Sequence, residues 1–418
     1  MRSRGNASRE SERPATYREV FAVREFSALF AAHLLSLIGD QLAKIAVALL
    51  VLDRTGSQFW SAVSFGIGYL PWVLGGPLLS ALADRYPRRT VMIGSDLVRT
   101  LLVGAIAVPD IPVWAIVALL FASALFAPPF NAARSASIPE ILDGDRYVLG
   151  TSVTNITIQF AQVAGFLLGG VLIMYVSLRG AVLIDAGTFG LSAMLITQFM
   201  RARRHAPAAR RPSLLRETAA GVQLVFGSRR LTSYLVLAWV GAAFLAAPEG
   251  LMPTYARYLH RGTFTVGLLY ATIPLGATIG MLVYGRFTAP SRRMRQIRPM
   301  ALISLLSLAP VAMDPGLGAL LALLAVAGYG GAYQLGLNAA FVQAVPAEYR
   351  ARAFGVAVTG LQVVQGVAIA MAGALADHFS PPVVVGVCGL IGATAALPAI
   401  LRWPDDEELQ RPVMARAA

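Results

Sequence analysis

Along this chain the apolar positions neither alternate nor form narrow stripes. They run together in unbroken stretches of about 18 to 25 residues, each long enough, at about 1.5 Å per helical residue, to cross a hydrocarbon core of roughly 30 Å. Such stretches occupy 26–52, 58–82, 90–108, 113–132, 151–176, 180–200, 231–253, 264–285, 299–313, 316–341, 353–375 and 381–401. A membrane β-strand needs only about 10 residues and alternates in polarity, so an outer-membrane barrel is excluded. The pattern predicts an all-α membrane protein with twelve transmembrane helices. The polar, Arg-rich segment 1–25 followed by an apolar run has the outline of a signal peptide, with Ala46-Val47-Ala48 as its cleavage site. The run continues to Leu52 and carries Asp40 and Lys44, so it reads as an uncleaved first span.

The longest polar connector, 201–230, divides the spans into six and six. The expected organisation is a cytoplasmic N-terminal tail (1–25), a six-helix bundle (26–200), a cytoplasmic linker (201–230), a second six-helix bundle (231–402) and a cytoplasmic C-terminal tail (403–418). Within the linker, a basic stretch from Arg201 to Pro212 precedes Leu215, Ala219, Val222 and Phe226 on one helical face. That face suits an interfacial helix on the membrane surface; a plain linker is the alternative. A short repeat supports the division: Asn131-Ala132-Ala133 followed by Pro139, and Asn338-Ala339-Ala340 followed by Pro346, at the ends of the fourth and tenth spans. Parallel repeats of this kind occur in transporters whose halves rock about a midplane site.

Composition sharpens the class. The 418 residues are 56% hydrophobic and 14% charged, against about 25% charged in soluble domains, so lipid is the main solvent. Lys and Arg are distributed unevenly: 29 lie on the side of the termini, four (Arg54, Arg179, Arg257, Arg261) on the other, and Lys44 and Arg99 within spans. The positive-inside rule then places both termini in the cytoplasm, in an inner membrane. The net charge of +13 is explained by arginines facing anionic headgroups, and no nucleic-acid partner is needed. Cys388 is alone, and His33, His205, His260 and His378 are scattered, so neither a disulfide framework nor a zinc site is expected. The only lysine, Lys44, is not in a phosphate-binding loop, so there is no ATP-binding site in this chain. No cofactor is expected; energy must come from an ion gradient or a partner subunit.

The connector between the second and third spans reads Ser80-Ala81-Leu82-Ala83-Asp84-Arg85-Tyr86-Pro87-Arg88-Arg89. It resembles the Gly-x-x-x-Asp-Arg-x-Gly-Arg-Arg signature of the major facilitator superfamily, with Ser80 and Pro87 in place of the two glycines. Ile38-Gly39-Asp40, Ala132-Ala133-Arg134 with Ile138-Pro139, and Gly165-Phe166-Leu167-Leu168-Gly169-Gly170 are similar to its drug-efflux and macrolide or siderophore exporter branch. The resemblance implies two pseudo-symmetric six-helix bundles whose first, fourth, seventh and tenth spans line a central cavity. It also implies a cytoplasmic gate at Asp84, Arg85, Arg88 and Arg89, a cluster able to hold helix ends together in one conformation and free them in another. Anchorage of the loop to headgroups is the other use of these charges. The matching second-half segment, Gly285 to Arg293, lacks the aspartate, so the latch is lopsided. Phe166 stands where proton-exchanging members commonly carry proline, so the resemblance carries transport further than antiport. Gly165, Gly169 and Gly170 still permit close helix approach.

A charge at bilayer depth is costly, which makes each ionisable residue inside a span a functional candidate. Asp40, in the middle of span one, has Lys44 one turn later and His33 seven residues earlier on the same stripe; Glu249 sits between Pro248 and Gly250 in span seven. Asp40 and then Glu249 are the expected proton-coupling sites, with Lys44 and His33 pairing with Asp40. A permanent Asp40–Lys44 ion pair that only fixes packing is the alternative. Asp96 and Arg99 are expected to relay to the cytoplasmic gate, and Asp185 to snorkel to the interface. The expected cavity residues are Phe126, Phe130 and Asn131 in span four, Asn155 and Gln159 in span five, Tyr329, Tyr333, Gln334 and Asn338 in span ten, and Gln362 and Gln365 in span eleven. Large rings with a few amides suit an amphipathic organic molecule, helix packing being their competing use.

The reading that results is a secondary active transporter exporting a small amphipathic or lipophilic molecule in exchange for protons by alternating access. Its partners are the lipid bilayer, the substrate and protons. A proton-coupled uptake symporter is the alternative within the class, and a membrane sensor or scaffold the alternative outside it. An enzyme is not expected: the chain has no His-Glu-x-x-His, no Gly-x-Ser-x-Gly, and no nucleophile with a base beside it.

Overall fold

The computed structural model describes residues 16–71, 85–203, 214–401 and 403. All regular structure among them is helical. A short α1 (Tyr17–Ala22), opened by a Thr16–Glu19 capping box, leads into α2 (Arg24–Thr55), which ends where Gly56 adopts φ +67. Only glycine takes that left-handed C-terminal position without strain. The first group continues with α3 (Gln58–Gly66), α4 (Arg88–Ile106), α5 (Val113–Ala124), α6 (Ala127–Ile141), α7 (Gly144–Leu172) and α8 (Leu178–Phe199). After α9 (Leu214–Gly227), the second group comprises α10 (Arg229–Ala246), α11 (Met252–Tyr258), α12 (Thr263–Phe287), α13 (Pro290–Leu306), α14 (Leu317–Gly331), α15 (Tyr333–Ala344), α16 (Arg350–Ala376) and α17 (Pro381–Leu401). Within the first group α2, α4, α7 and α8 pack on one another; within the second, α10, α12, α14, α16 and α17 do so.

Ten helical stretches among the described residues are long and apolar enough to cross a membrane. The expected second span is helical through Gly66 and continues as a 3-10 turn, Ile67–Tyr69; residues 72–84, Asp84 of the gate motif among them, lie outside the described residues. α4 corresponds to the third span and is not among the ten, because Arg88, Arg89, Asp96 and Arg99 interrupt it. The fourth span breaks between α5 and α6, where Pro128 and Pro129 open the new helix. The tenth breaks at Ala332, between α14 and α15. Both breaks precede the repeated Asn-Ala-Ala segment by about one and a half turns. Helix α6 runs on to Ile141, which corrects the expected boundary near 132 and places Arg134 inside the helix, buried, rather than in a headgroup-facing connector. Helix α9 occupies part of the expected linker and packs on α16, with Val225 buried.

The two groups meet mainly through α3 on α16 and α7 on α12. Among the described residues, several of the bonds and close approaches that join them lie toward the end away from the termini, called here the far end, and others lie deeper, as where Gly66 meets Gly366. Asp53 pairs with Arg257, and Asp377 accepts bonds from Ser57 and Gln58. A Cβ on Gly170 would lie 2.9 Å from the Gly267 Cα, so α7 and α12 touch backbone to backbone there. These contacts hold the two groups together at the far end.

Candidate functional site

The first group carries its buried charges on α2, α4 and α8, three helices held close by small residues. Arg99 on α4 donates to the Asp40 carboxylate on α2 at 2.8 Å and lays its guanidinium over the Phe189 ring of α8, 3.8 Å from the centroid. One turn back, Asp96 accepts a 2.5 Å bond from the Ser192 hydroxyl of α8. Asp185, also on α8, is buried and accepts a bond from Thr188; a side chain on Gly39 would run into both. Glycine at 39 is therefore what lets α8 bring its carboxylate against α2. Asp185 lies seven residues into α8, about 10 Å from the helix end, so the expectation that it snorkels to the interface is corrected. Its signal was in the sequence: an acid within an apolar span is a site candidate by default.

The expected Asp40–Lys44 pair is not formed, because Arg99 occupies the Asp40 carboxylate. Lys44 turns instead toward the other group of helices. Its ammonium lies 5.7 Å from the Phe65 ring centre and 5.9 Å from that of Tyr69, in the electrostatic field of Glu249. Glu249 occupies a 3-10 stretch, Ala247–Leu251, that Pro248 and Gly250 impose between α10 and α11, and the Tyr69 hydroxyl is within hydrogen-bonding reach of its carboxylate. Tyr270 of α12 is sandwiched between Phe65 (4.9 Å) and Phe166 (5.0 Å), with both rings stacked at 16°. Lys44, Tyr69, Glu249 and Tyr270 thus form a polar core inside the contact between the groups.

His33 is not a partner of Asp40 either. It is buried against Phe130, ring centres 6.3 Å apart, beside the buried Arg134 of α6. From the termini end inward, the charges inside the spans follow in the order Arg134 with His33, Asp96, Arg99 with Asp40, Asp185, Lys44 and Glu249, with Asp40, Lys44 and Glu249 half-buried and the rest buried. His33 feels the field of Arg134 and Arg99, Asp96 that of Arg99 and Asp40, Asp185 that of Asp40, Arg99 and Lys44, and Glu249 that of Lys44. Among the described residues, His33 Nε2, Asp96 Oδ1 and the Tyr270 hydroxyl have no hydrogen-bond partner, the condition under which ordered water or a moving proton is accommodated. Asp96 and Arg99 belong to this line; Asp84, to which they are expected to relay, lies outside the described residues. In that motif, Arg88 bonds the Ala136 carbonyl (2.6 Å) and Glu140 (2.5 Å) of α6, Arg89 bonds the Thr197 carbonyl of α8 (2.6 Å), and Arg85 is exposed. Here the motif's arginines fasten three helices of the first group.

The second group holds a cavity of about 330 Å³ between α10, α12, α15 and α16. Trp239, Phe341, Phe354 and Leu361 are among its apolar lining, and Gln334, Asn338 and Tyr234 bring polar groups to it. Gln334 is oriented by a 3.0 Å bond to the Ala238 carbonyl, and Trp239 by a 2.9 Å bond to that of Ala357. Of the expected cavity residues, only Gln334 and Asn338 line it. Tyr333 is buried in the α10–α15 packing, its hydroxyl donating to the Leu237 carbonyl at 3.1 Å. Phe130 is core, and Asn131 donates to the Ala127 carbonyl of its own helix. Phe126 begins α6, Asn155 and Gln159 lie on α7, Tyr329 on α14, and Gln362 and Gln365 on α16, all outside this cavity. Trp239 and Phe354 were missed because an aromatic residue in an apolar span has no sequence signal separating wall from core.

The family model described as Major Facilitator Superfamily matches residues 29–314 and 298–417. Macrolide efflux protein A of Streptococcus pyogenes is 27% identical over 124 residues, 28% of this chain and 31% of that protein. The enterobactin exporter of Citrobacter koseri is 28% identical over 272 residues, 62% of this chain and 63% of that protein. The matches therefore span less than two thirds of these relatives' lengths. A crystal structure of a POT family transporter in complex with a thioalcohol-conjugated peptide superposes with a TM-score of 0.72 at 11% identity, over 93% of this chain and 97% of that one, a likeness of fold alone.

Proposed function

The chain belongs to the major facilitator superfamily, and from that premise we propose that it is a secondary active exporter that moves an amphipathic or lipophilic small molecule out of the cell in exchange for protons. The observation that carries the proposal is the line of charges inside the spans, from Arg134 toward the termini end to Glu249 in the contact between the two groups. A carboxylate that binds a proton loses its attraction for Arg99 or Lys44, so proton binding alters packing within the first group at Asp40 and between the groups at Glu249. The chain's own residues thereby link proton occupancy to which end is shut. The cavity in the second group, largely aromatic and aliphatic with Gln334, Asn338 and Tyr234 as its polar contacts, supports an organic cargo over a sugar or an inorganic ion.

On this reading the six-plus-six organisation, the cytoplasmic termini and the inner-membrane location follow from the distribution of arginine. The macrolide and siderophore exporters among the relatives support outward movement. The test is transport of a fluorescent amphipathic dye by proteoliposomes under an imposed pH gradient. Wild-type protein is expected to move dye against the proton flux, and Asp40→Asn and Glu249→Gln to abolish gradient-driven movement while leaving dye binding intact. Dye and protons moving in the same direction would make the protein a symporter, and full activity of both variants would remove the assigned coupling sites.

A further inference from the structure

The structure assigns Asp377 as the residue that latches the far end shut, by capping a helix of the opposite group. Asp377 terminates α16, its N–H bonded to the Gly373 carbonyl, and its carboxylate projects across the contact between the groups. One oxygen accepts the backbone N–H of Gln58 at 2.6 Å, and the other accepts the Ser57 hydroxyl at 3.1 Å, where α3 begins. Asp377 therefore sits between the negative end of its own helix and the positive end of its partner's. The first is unfavourable for a carboxylate and the second favourable. Only while the far end is closed does it meet the second.

Helix α3 has a cap of its own in Ser57, which accepts from the Trp60 N–H at 3.4 Å, so Asp377 is not required for α3 to form. Asp377 is itself exposed, but its Gln58 partner is a fixed backbone N–H, whereas the other far-end charge contact, Asp53–Arg257, must order two long side chains that are 49% and 44% exposed and contributes little. Opening the far end strips Asp377 of both donors and leaves it facing the carbonyl end of α16. A group that bonds in one state and not the other shifts the equilibrium between them, and Asp377 is thus a positioning residue of the transport cycle. The assignment rests on the two-state reading above.

The experiment measures distances between spin labels on the full-length protein in lipid nanodiscs, with Cys388 replaced by serine. Labels at Tyr175 and Met313, both highly exposed, report the far end; labels at Arg201 and Phe287 report the termini end. Asp377→Ala is expected to raise the population with a widened far end and a narrowed termini end by about five- to ten-fold, the worth of one charged helix cap. Asp377→Glu is expected to restore much of the closed population. Unchanged distributions in Asp377→Ala overturn the latch, as does loss of discrete distances at both ends, which would mark a role in folding. Wild-type distances that never vary with pH or dye would instead overturn the two-state reading itself.

Discussion

Arg99 organises the charges of the first group: it bonds Asp40, lies over Phe189 and stands one turn from Asp96. Removing it leaves three acids without their central cation. Arg99→Ala is expected to cost about 3 kcal/mol, the low end for a broken buried pair because Asp40 keeps 31% of its side chain accessible. A thermal unfolding curve in detergent reads this, and a midpoint equal to wild type would show that Asp40 has another partner. Arg99→Lys is expected to recover only part of the loss, since an ammonium cannot both reach Asp40 and stack flat on Phe189. Tyr333 gives the opposite case. Its hydroxyl serves the Leu237 carbonyl, so Tyr333→Phe is expected to lower stability by about 1 kcal/mol and leave dye affinity unchanged. A large fall in affinity at wild-type stability would return Tyr333 to the cavity.

Among the helices, contact distance is set by glycine. A Cβ on Gly276 of α12 would lie 2.9 Å from the Ala325 carbonyl carbon of α14, whereas one on Gly187 of α8 would meet nothing within 4 Å. Gly276→Val is therefore expected to abolish the monodisperse peak in size-exclusion chromatography and Gly187→Val to preserve it; equal behaviour would mean that α12 and α14 can separate at no cost. The same geometry accounts for Phe166. With Gly165 against Gln41 and Gly170 against Gly267, α7 comes close enough for the Phe166 ring to stack on Tyr270 of the other group. A residue that departs from the family pattern in sequence is here part of the contact between the groups. The breaks in spans four and ten differ in cause: prolines open α6, while Gly328, Gly330 and Gly331 precede the break at Ala332.

At the scale of the whole molecule, the second group holds a cavity, and a line of charges runs from the first group into the contact between the two at Glu249. Filling the cavity tests whether it receives the cargo. Ala238→Phe adds a ring to a wall of about 330 Å³ and is expected to weaken dye binding at least about ten-fold with the fold intact. Unaltered binding would place the cargo elsewhere between the groups. Because most of the charge line lies in the first group and the cavity in the second, their communication must pass through the interface that holds Lys44, Tyr69, Glu249 and Tyr270.

The membrane class and the run of helical spans were legible in the sequence because burial in lipid imposes a length and an apolarity on every span, whatever its neighbours. The candidate acids Asp40 and Glu249 were legible for the same reason: a charge within such a span stands out. Their partners were not. Helical spacing put Lys44 beside Asp40, but α4, distant in the chain, delivers Arg99 to that carboxylate and frees Lys44 to turn toward Glu249. Nor could spacing along one helix show that Asp185 is buried against Gly39, that Tyr333 is packing, or that Asp377 caps α3. Each of these depends on which helix faces which, and that is decided by close approach at small residues and by the satisfaction of polar groups across helices. Periodicity within one segment carries neither.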